Sequence, residues 1–145
     1  MILVDTNVIS EPLRKSPEAR VIEWIDAQPL ETLYVSAITV AELRFGVASL
    51  SAGKRRDGLH ESLERQVLPL FAGRVLSFDL AASRSYADLM AKARAAGLAI
   101  NNADGYIAAT AAANGMMVAT RDTAPFEAAG VPNVNPWEAS SAESR

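Results

Sequence analysis

The sequence begins with Met1-Ile2-Leu3-Val4-Asp5-Thr6-Asn7-Val8-Ile9-Ser10. In this stretch a short apolar run, Ile2 to Val4, ends at an acidic residue that small polar residues follow. Such a run is typical of a buried strand, and ligands bind at the carboxyl ends of strands in open α/β folds. The stretch therefore predicts a strand that places Asp5 at the edge of a sheet, and it directs attention to acids further along the chain.

The composition indicates one globular domain. The chain has 145 residues, of which half are hydrophobic and 21% charged, and this length can bury a core without disulfides or a structural metal. Cysteine is absent, which excludes disulfides, thiolate zinc sites and cysteine nucleophiles. The formal net charge of −3 predicts no general affinity for nucleic acid, although a basic patch or bound metal ions could attract phosphate.

The sequence also carries no membrane or export signal. No apolar run approaches the roughly 20 residues of a membrane helix. The first apolar segment lacks the charged region that opens a signal peptide, and Asp5 interrupts it. We therefore expect a cytoplasmic protein.

Strand patterns alternate with helix patterns along the chain. Further strands are predicted at Thr32 to Val35, Val75 to Phe78 and Met116 to Ala119, with an edge strand near Val134. Between them, two helices are predicted. Asp79 would cap a helix that extends to Ala96, and an alanine-rich segment that begins near Asp104 predicts the other. This alternation predicts an α/β fold: one domain over residues 1–137, with a largely parallel sheet of four to five short strands flanked by helices. A polar, flexible tail is predicted over 138–145.

Two helix starts are predicted from serine residues. Ser16 would cap a helix that has Pro17 at its first position, and Ser36 would cap the helix after the second strand. In that second helix the residues predicted to face the core are Ile38, Ala41 and Phe45. Glu42 would lie beside this face, overlooking a cleft or solvent.

Four acids occupy positions that suit a shared site: Asp5, Glu42, Asp104 and Asp122. Two of them follow predicted strands, one begins a helix and one borders an apolar face. Each acid alone is more often a helix cap or a surface residue, but parallel strands end at the same edge of a sheet and would bring these four together. Converging carboxylates repel one another and raise each other's pKa unless a cation neutralises them.

A hard divalent cation would fulfil that role. Oxygen ligands suit Mg²⁺ or Mn²⁺, and the chain has no thiolate to favour a softer metal. We expect Asp5 and Asp104 to bind the ion directly, and Glu42 and Asp122 to act through water or to bind a second ion. Such a site serves phosphodiester hydrolysis without a covalent nucleophile.

Several blocks of this sequence, taken in order, resemble the PIN domain. They are Val4 to Glu11 (VDTNVISE), Thr39 to Gly46 (TVAELRFG), Asp104 to Ala111 (DGYIAATA) and Ala119 to Asp122 (ATRD), followed by Phe126 and by Asn135-Pro136-Trp137. Within the family the chain is most similar to VapC toxins, and its opening to the FitB branch. The resemblance extends from Met1 to Trp137, and the combination of blocks is specific although each block alone is weak.

The resemblance implies a metal-dependent ribonuclease that a cognate VapB- or FitA-type antitoxin holds inactive. It maps the family's acids onto Asp5, Glu42, Asp104 and Asp122, and its small polar helper residues onto Thr6, Asn7 and Thr120. It further implies a homodimer, operator DNA bound only through the antitoxin, and antitoxin docking on the helices between Ser36 and Leu70. Pro125 stands where relatives often carry an additional acid, so a fifth carboxylate is not expected.

Four arginines are candidates for contacts with substrate or antitoxin. Arg44 and Arg121 each lie within two residues of a site acid, where they would bind substrate phosphate or pair with the carboxylates. Arg55 and Arg56 belong to a basic tract that begins at Lys54. That tract predicts a solvated helix end or, alternatively, a contact for RNA or antitoxin.

Two other functions stay open. Asp5-Thr6-Asn7 faintly resembles the nucleophile motif of haloacid dehalogenase-type phosphatases, but Asn7 replaces the second acid of that motif. The alternative from a different class is non-enzymatic: a partner of a DNA-binding antitoxin in a transcription-repressing complex. A serine triad has little support because His60 is the single histidine.

Overall fold

The strand at the centre of the sheet is β1 (Ile2–Val4), whose uninterrupted apolar sequence suits burial on both faces. In the computed structural model, which describes residues 1–138, four further strands lie parallel to it in the order β3-β2-β1-β4-β5. They are β2 (Leu33–Ser36), β3 (Val75–Leu76), β4 (Met117–Ala119) and β5 (Asn133–Val134). The predicted α/β fold with a parallel sheet of short strands is confirmed. The predicted tail lies, apart from Glu138, outside the described residues.

Helices cover both faces of this sheet. They are α1 (Thr6–Ser10), α2 (Ala19–Ala27), α3 (Ala37–Ala48), α4 (Lys54–Ser62), α5 (Leu80–Ala95), α6 (Asn102–Ala113) and α7 (Ala124–Ala128). A π-helical turn (Leu63–Val67) and a 3₁₀ turn (Leu68–Phe71) continue α4 toward β3. Val4 packs with α1 to α3 on one face, whereas Leu3 packs with α5 to α7 on the other. Within residues 1–138, no helix combines the length and the apolar character needed to cross a membrane.

The predicted caps are correct for two helices and wrong for a third. Ser36 Oγ accepts the Thr39 N–H at 3.0 Å, and Asp79 caps α5 in the same way. Ser16 does not cap α2, which begins at Ala19. Instead, a carboxylate oxygen of Glu11 accepts the Glu18 N–H at 2.9 Å, because this buried acid lies against the start of the helix.

The predicted core face of α3 is correct for one residue and wrong for two: Ile38 is partly buried and packs against the core, but Ala41 and Phe45 are exposed. The buried residues of this helix are Thr39, Val40 and Leu43, whereas the Phe45 side chain is 74% exposed. The sequence misleads here because a threonine occupies an interior position and an aromatic residue lies outside. The true interior face turns Thr39 toward Ser36 and Thr6, and thus toward the ends of the strands.

The order of the strands determines where a site can form. From β1 the chain first builds β2 and β3 on one side, and it then crosses to build β4 and β5 on the other. The Asp5 N–H donates to the Ala119 carbonyl oxygen at 2.9 Å, so the carboxyl ends of β1 and β4 are adjacent. Such a reversal of strand order opens a crevice at the carboxyl edge, which is where ligands bind in folds of this kind.

Candidate active site

Asp5 lies at the centre of this crevice, at the end of β1. It is the N-terminal cap of α1 and is only 5% exposed. Its Oδ1 accepts the Thr6 N–H at 2.8 Å, and its Oδ2 accepts the Thr120 hydroxyl at 2.8 Å. Both carboxylate oxygens therefore have fixed positions.

Thr120 and Asn7 attach the loop after β4 to this centre. The buried Thr120 Oγ1 accepts the Asp122 N–H at 3.2 Å while its own proton goes to Asp5. Asn7 Oδ1 accepts the Arg121 N–H at 3.2 Å. The two predicted helper residues thus hold the segment that carries Asp122, and neither needs to contact substrate to do so.

Glu42 reaches the crevice from α3. Its side chain is exposed, and its Oε1 accepts the Thr6 hydroxyl at 2.7 Å. Thr6 therefore contacts two of the acids, through its backbone N–H to Asp5 and through its hydroxyl to Glu42. Thr6, the third predicted helper residue, thus links Asp5 at the end of β1 to Glu42 on α3.

Asp104 lies in the first turn of α6 and is half-buried. Asn101 holds it twice: its Oδ1 accepts the Asp104 N–H at 2.9 Å, and its Nδ2 donates to Asp104 Oδ2 at 2.6 Å. Sequence reasoning did not assign a role to Asn101. The signal was an asparagine three residues before an acid at a helix start, which is the spacing of a reciprocal cap.

The backbone at Gly105 allows α5 to pack closely against the turn that carries Asp104. A Cβ at this position would lie 2.9 Å from Met90 Sδ and 3.0 Å from Tyr86 Cε2. We expect Gly105→Ala to lower the free energy of unfolding by about 1–2 kcal/mol. Overpacking costs about 1–3 kcal/mol, and the better helix propensity of alanine offsets up to about 1 kcal/mol of this cost. The matched control is Gly58→Ala in α4, where a Cβ would meet open space. There the better helix propensity of alanine should raise the free energy of unfolding by at most about 1 kcal/mol. Urea denaturation of both variants measures this difference; equal effects would contradict the close packing at Gly105.

The four acids influence one another electrostatically. The pKa of Asp5 is raised from its ordinary value of 3.8 to about 6. Burial is the largest cause, the hydrogen bonds from Thr120 and Thr6 oppose it, and the charges of Asp104 and Glu42 add to it. Burial also raises the pKa of Asp104; Asn101 lowers it, and Asp122 and Glu42 raise it. The structure therefore brings all four predicted acids around one crevice, where negative charge accumulates.

These residues fit a hydrated divalent cation. Within residues 1–138, no three acidic or histidine side chains lie close enough together to hold one ion by themselves. Mg²⁺ does not require such a cage, because it keeps several waters and uses one or two carboxylates directly. The donor set consists of oxygens. Burial, and after it the charge of the neighbouring acids, raises the pKa values of Asp5 and Asp104, and a cation would offset both effects.

The four candidate arginines lie in different surroundings. Arg44 forms a two-pronged ion pair with Glu64, at 2.8 and 3.1 Å, and this contact joins it to the π-helical turn that follows α4. The Arg121 guanidinium lies over the Trp137 ring, 5.1 Å from its centroid. Arg55 lines a groove that also contains Glu42, and Arg56 lines a neighbouring pocket with His60. Arg55 and Arg121 thus remain at the margin of the crevice.

Comparison with known proteins gives a consistent picture. The PIN domain model matches residues 2–131. VapC ribonuclease Y4jK of Sinorhizobium fredii is 66% identical over 138 residues, which cover 95% of this chain and 99% of that protein. Toxin FitB of Neisseria gonorrhoeae is 57% identical over 137 residues, which cover 94% of this chain and 99% of that protein.

A solved structure extends this likeness to three dimensions. A chain of FitAB bound to an IR36 DNA fragment superposes with a TM-score of 0.93 at 55% identity, covering 97% of this chain and 98% of that one. The region that the PIN domain model matches, residues 2–131, contains the strands β1 to β4 and all four acids. On its sequence and its fold, this chain belongs to the PIN domain family.

Proposed function

We propose that this chain is a Mg²⁺- or Mn²⁺-dependent endoribonuclease and the toxin of a VapBC-type toxin–antitoxin pair. The observation that carries the proposal is the buried Asp5 at the end of β1, with Glu42 and Asp104 close enough to raise its pKa. The identity to a VapC ribonuclease and to toxin FitB, each over nearly the whole chain, supports the same conclusion. RNA as substrate implies that the protein acts in the cytoplasm.

The residues of the crevice have distinct roles in this proposal. Asp5 and Asp104 would hold the cation, and Glu42 and Asp122 would act through its waters or hold a second ion. When bound, the cation lowers the pKa of a water and stabilises the charge that develops on the phosphate. Thr120 keeps Asp5 oriented, Asn101 keeps Asp104 oriented, and Thr6 joins Asp5 to Glu42.

Removal of divalent metal tests this activity. We expect the purified, antitoxin-free protein to cleave RNA with Mg²⁺ or Mn²⁺ and to lose cleavage in EDTA, because the carboxylates alone carry no positive charge to stabilise the phosphate. Restoring Mn²⁺ should restore cleavage. A gel assay on a mixture of structured RNAs measures the result. If neither metal supports cleavage while the toxin–antitoxin complex still binds DNA, the nuclease proposal is wrong.

A groove beside the crevice supports an antitoxin partner. It has a volume of about 310 Å³ and its apolar lining consists of Leu13, Leu43, Val47, Leu50, Leu59 and Leu63. At one end it reaches Thr6 and Glu42, and Arg14 and Arg55 lie on its margin. An antitoxin segment with apolar side chains would therefore pass directly beside the acids and block access of RNA. Most residues that line the groove belong to the helical region between Ser36 and Leu70, where the resemblance implies docking.

The second candidate function is regulatory. The FitAB structure that superposes on this chain is bound to a DNA fragment, which favours a role for this chain in a DNA-bound repressor complex with its antitoxin. DNA would be contacted only through the antitoxin, and the chain itself would form a homodimer. Light scattering measures the dimer, and a DNA mobility-shift assay with and without the antitoxin separates this role from RNA cleavage.

A further inference from the structure

A row of three hydroxyl groups leads from the interior of the protein to Glu42. Ser36 Oγ lies 3.2 Å from Thr39 Oγ1, which lies 3.3 Å from Thr6 Oγ1, which lies 2.7 Å from Glu42 Oε1. Thr39 is fully buried, at 0% exposure, and it lies at the middle of the row. Within residues 1–138, the hydrogen bonds of the Thr39 hydroxyl go to Ser36 and Thr6, and none joins it directly to one of the four acids.

Counting protons fixes the direction of this row. An ionised carboxylate only accepts hydrogen bonds, so the single hydroxyl proton of Thr6 belongs to Glu42, at the short distance of 2.7 Å. Thr6 Oγ1 can then only accept from Thr39, and Thr39 Oγ1 can only accept from Ser36. Ser36 Oγ in turn accepts the Thr39 backbone N–H at 3.0 Å. All three protons therefore point toward Glu42.

We propose that Thr39 is a positioning residue for the active site, which acts through Thr6 to hold Glu42 in place. Glu42 needs such support because its side chain is exposed on α3, where a flexible carboxylate would otherwise sample many rotamers. Partners behind a metal-binding group commonly change metal affinity or activity by roughly 10- to 100-fold when they are removed. This inference rests on the proposed function, and it adds a residue that touches neither the cation nor the substrate.

The pair Thr39→Val and Thr39→Ser tests this role. Valine keeps the branched shape and removes the hydroxyl, whereas serine keeps the hydroxyl and removes a methyl group. We expect Thr39→Val to lower kcat for RNA cleavage by about tenfold without changing KM, and to weaken Mn²⁺ binding severalfold in calorimetry. Thr39→Ser should keep kcat and the Mn²⁺ affinity within about twofold of the wild-type values, although this variant loses buried apolar volume. The reverse order of the two variants would mean that Thr39 only fills space.

Two controls separate positioning from other causes. Thr110→Val makes the same change at another fully buried threonine and should leave kcat unchanged. Among residues 1–138, the Thr110 hydroxyl bonds only to the Tyr106 carbonyl of its own helix. In a Glu42→Gln background, Thr39→Val should produce no further change, because interactions within one network are not additive. If Thr39→Val matches the wild type in both kcat and Mn²⁺ affinity, the positioning role is wrong while the nuclease function stands. If the wild type itself cleaves no RNA, the function fails, and the Mn²⁺ titration still decides the role of Thr39.

Discussion

Asp5→Asn is expected to reduce RNA cleavage by about 10³-fold or more. The substitution is nearly isosteric, but it removes the buried charge that we propose as a ligand of the cation. Loss of several kcal/mol of metal-derived stabilisation of the transition state corresponds to a change of this size, at about 1.4 kcal/mol for each factor of ten. Single-turnover cleavage with Mn²⁺ measures the effect. Residual activity within tenfold of the wild type would show that Asp5 is not a principal ligand.

The same substitution should have the opposite effect on stability when no metal is present. The pKa of Asp5 is about 6 in the folded protein against an ordinary 3.8, so the folded state binds this proton more tightly between roughly pH 4 and pH 6. The contribution of Asp5 to stability therefore falls as the pH rises through that window. Asn has no charge to bury and avoids this loss.

Urea denaturation at two pH values measures this difference. In EDTA at pH 7.5, Asp5→Asn should unfold with a free energy higher than that of the wild type by on the order of 3 kcal/mol. At pH 4 the two proteins should differ little, because Asp5 is then largely protonated. An advantage that is independent of pH would show that the crevice does not penalise the charge of Asp5.

Leu59→Glu is expected to weaken antitoxin binding by at least about 100-fold. Leu59 lines the apolar groove next to Glu42 and is partly exposed, so the substitution is compatible with the fold of α4. An antitoxin segment that covers this position would bury an unpaired carboxylate, and losses at such interface centres exceed about 2 kcal/mol. RNA cleavage by the variant should consequently resist inhibition by the antitoxin. Calorimetry and the cleavage assay measure the two effects.

The control for this experiment is Leu30→Glu. Leu30 is more exposed than Leu59 and lies outside the groove, in a 3₁₀ turn (Leu30–Thr32) before β2. Its substitution should leave antitoxin affinity unchanged. Equal affinity of wild type, Leu30→Glu and Leu59→Glu would place the antitoxin on another surface. Circular dichroism of the variants confirms that each has folded before binding is compared.

The sequence predicted the acids of the crevice because their positions depend on local patterns. Asp5 and Asp122 follow short apolar runs that become adjacent strands, and Asp104 begins a helix. Parallel strands share one carboxyl edge, so the apolar pattern was sufficient to place Asp5 and Asp122 on the same edge of the sheet. The helper residues Thr6, Asn7 and Thr120 came from resemblance alone, and the structure adds the bonds that each one makes.

The network behind these acids could not be predicted in the same way. Thr39 contacts Thr6 across 33 positions of sequence, and this contact depends on how α3 rotates against the sheet. The apolar pattern of α3 suggested a different rotation, with Phe45 inside, because a buried threonine gives no hydrophobic signal. The role of Glu11 was missed for a related reason: it caps a helix seven residues away, beyond the spacing of local capping motifs.

The central claim is that the carboxylates of this crevice hold a divalent cation. Anomalous diffraction from a crystal of the antitoxin-free protein grown with Mn²⁺ tests this claim most directly. We expect a manganese peak in the crevice between the carboxylates of Asp5 and Asp104, and its loss in a crystal of Asp5→Asn. A crystal in which manganese occupies another surface, or in which the crevice contains none while Asp5 and Asp104 are ordered, would contradict it.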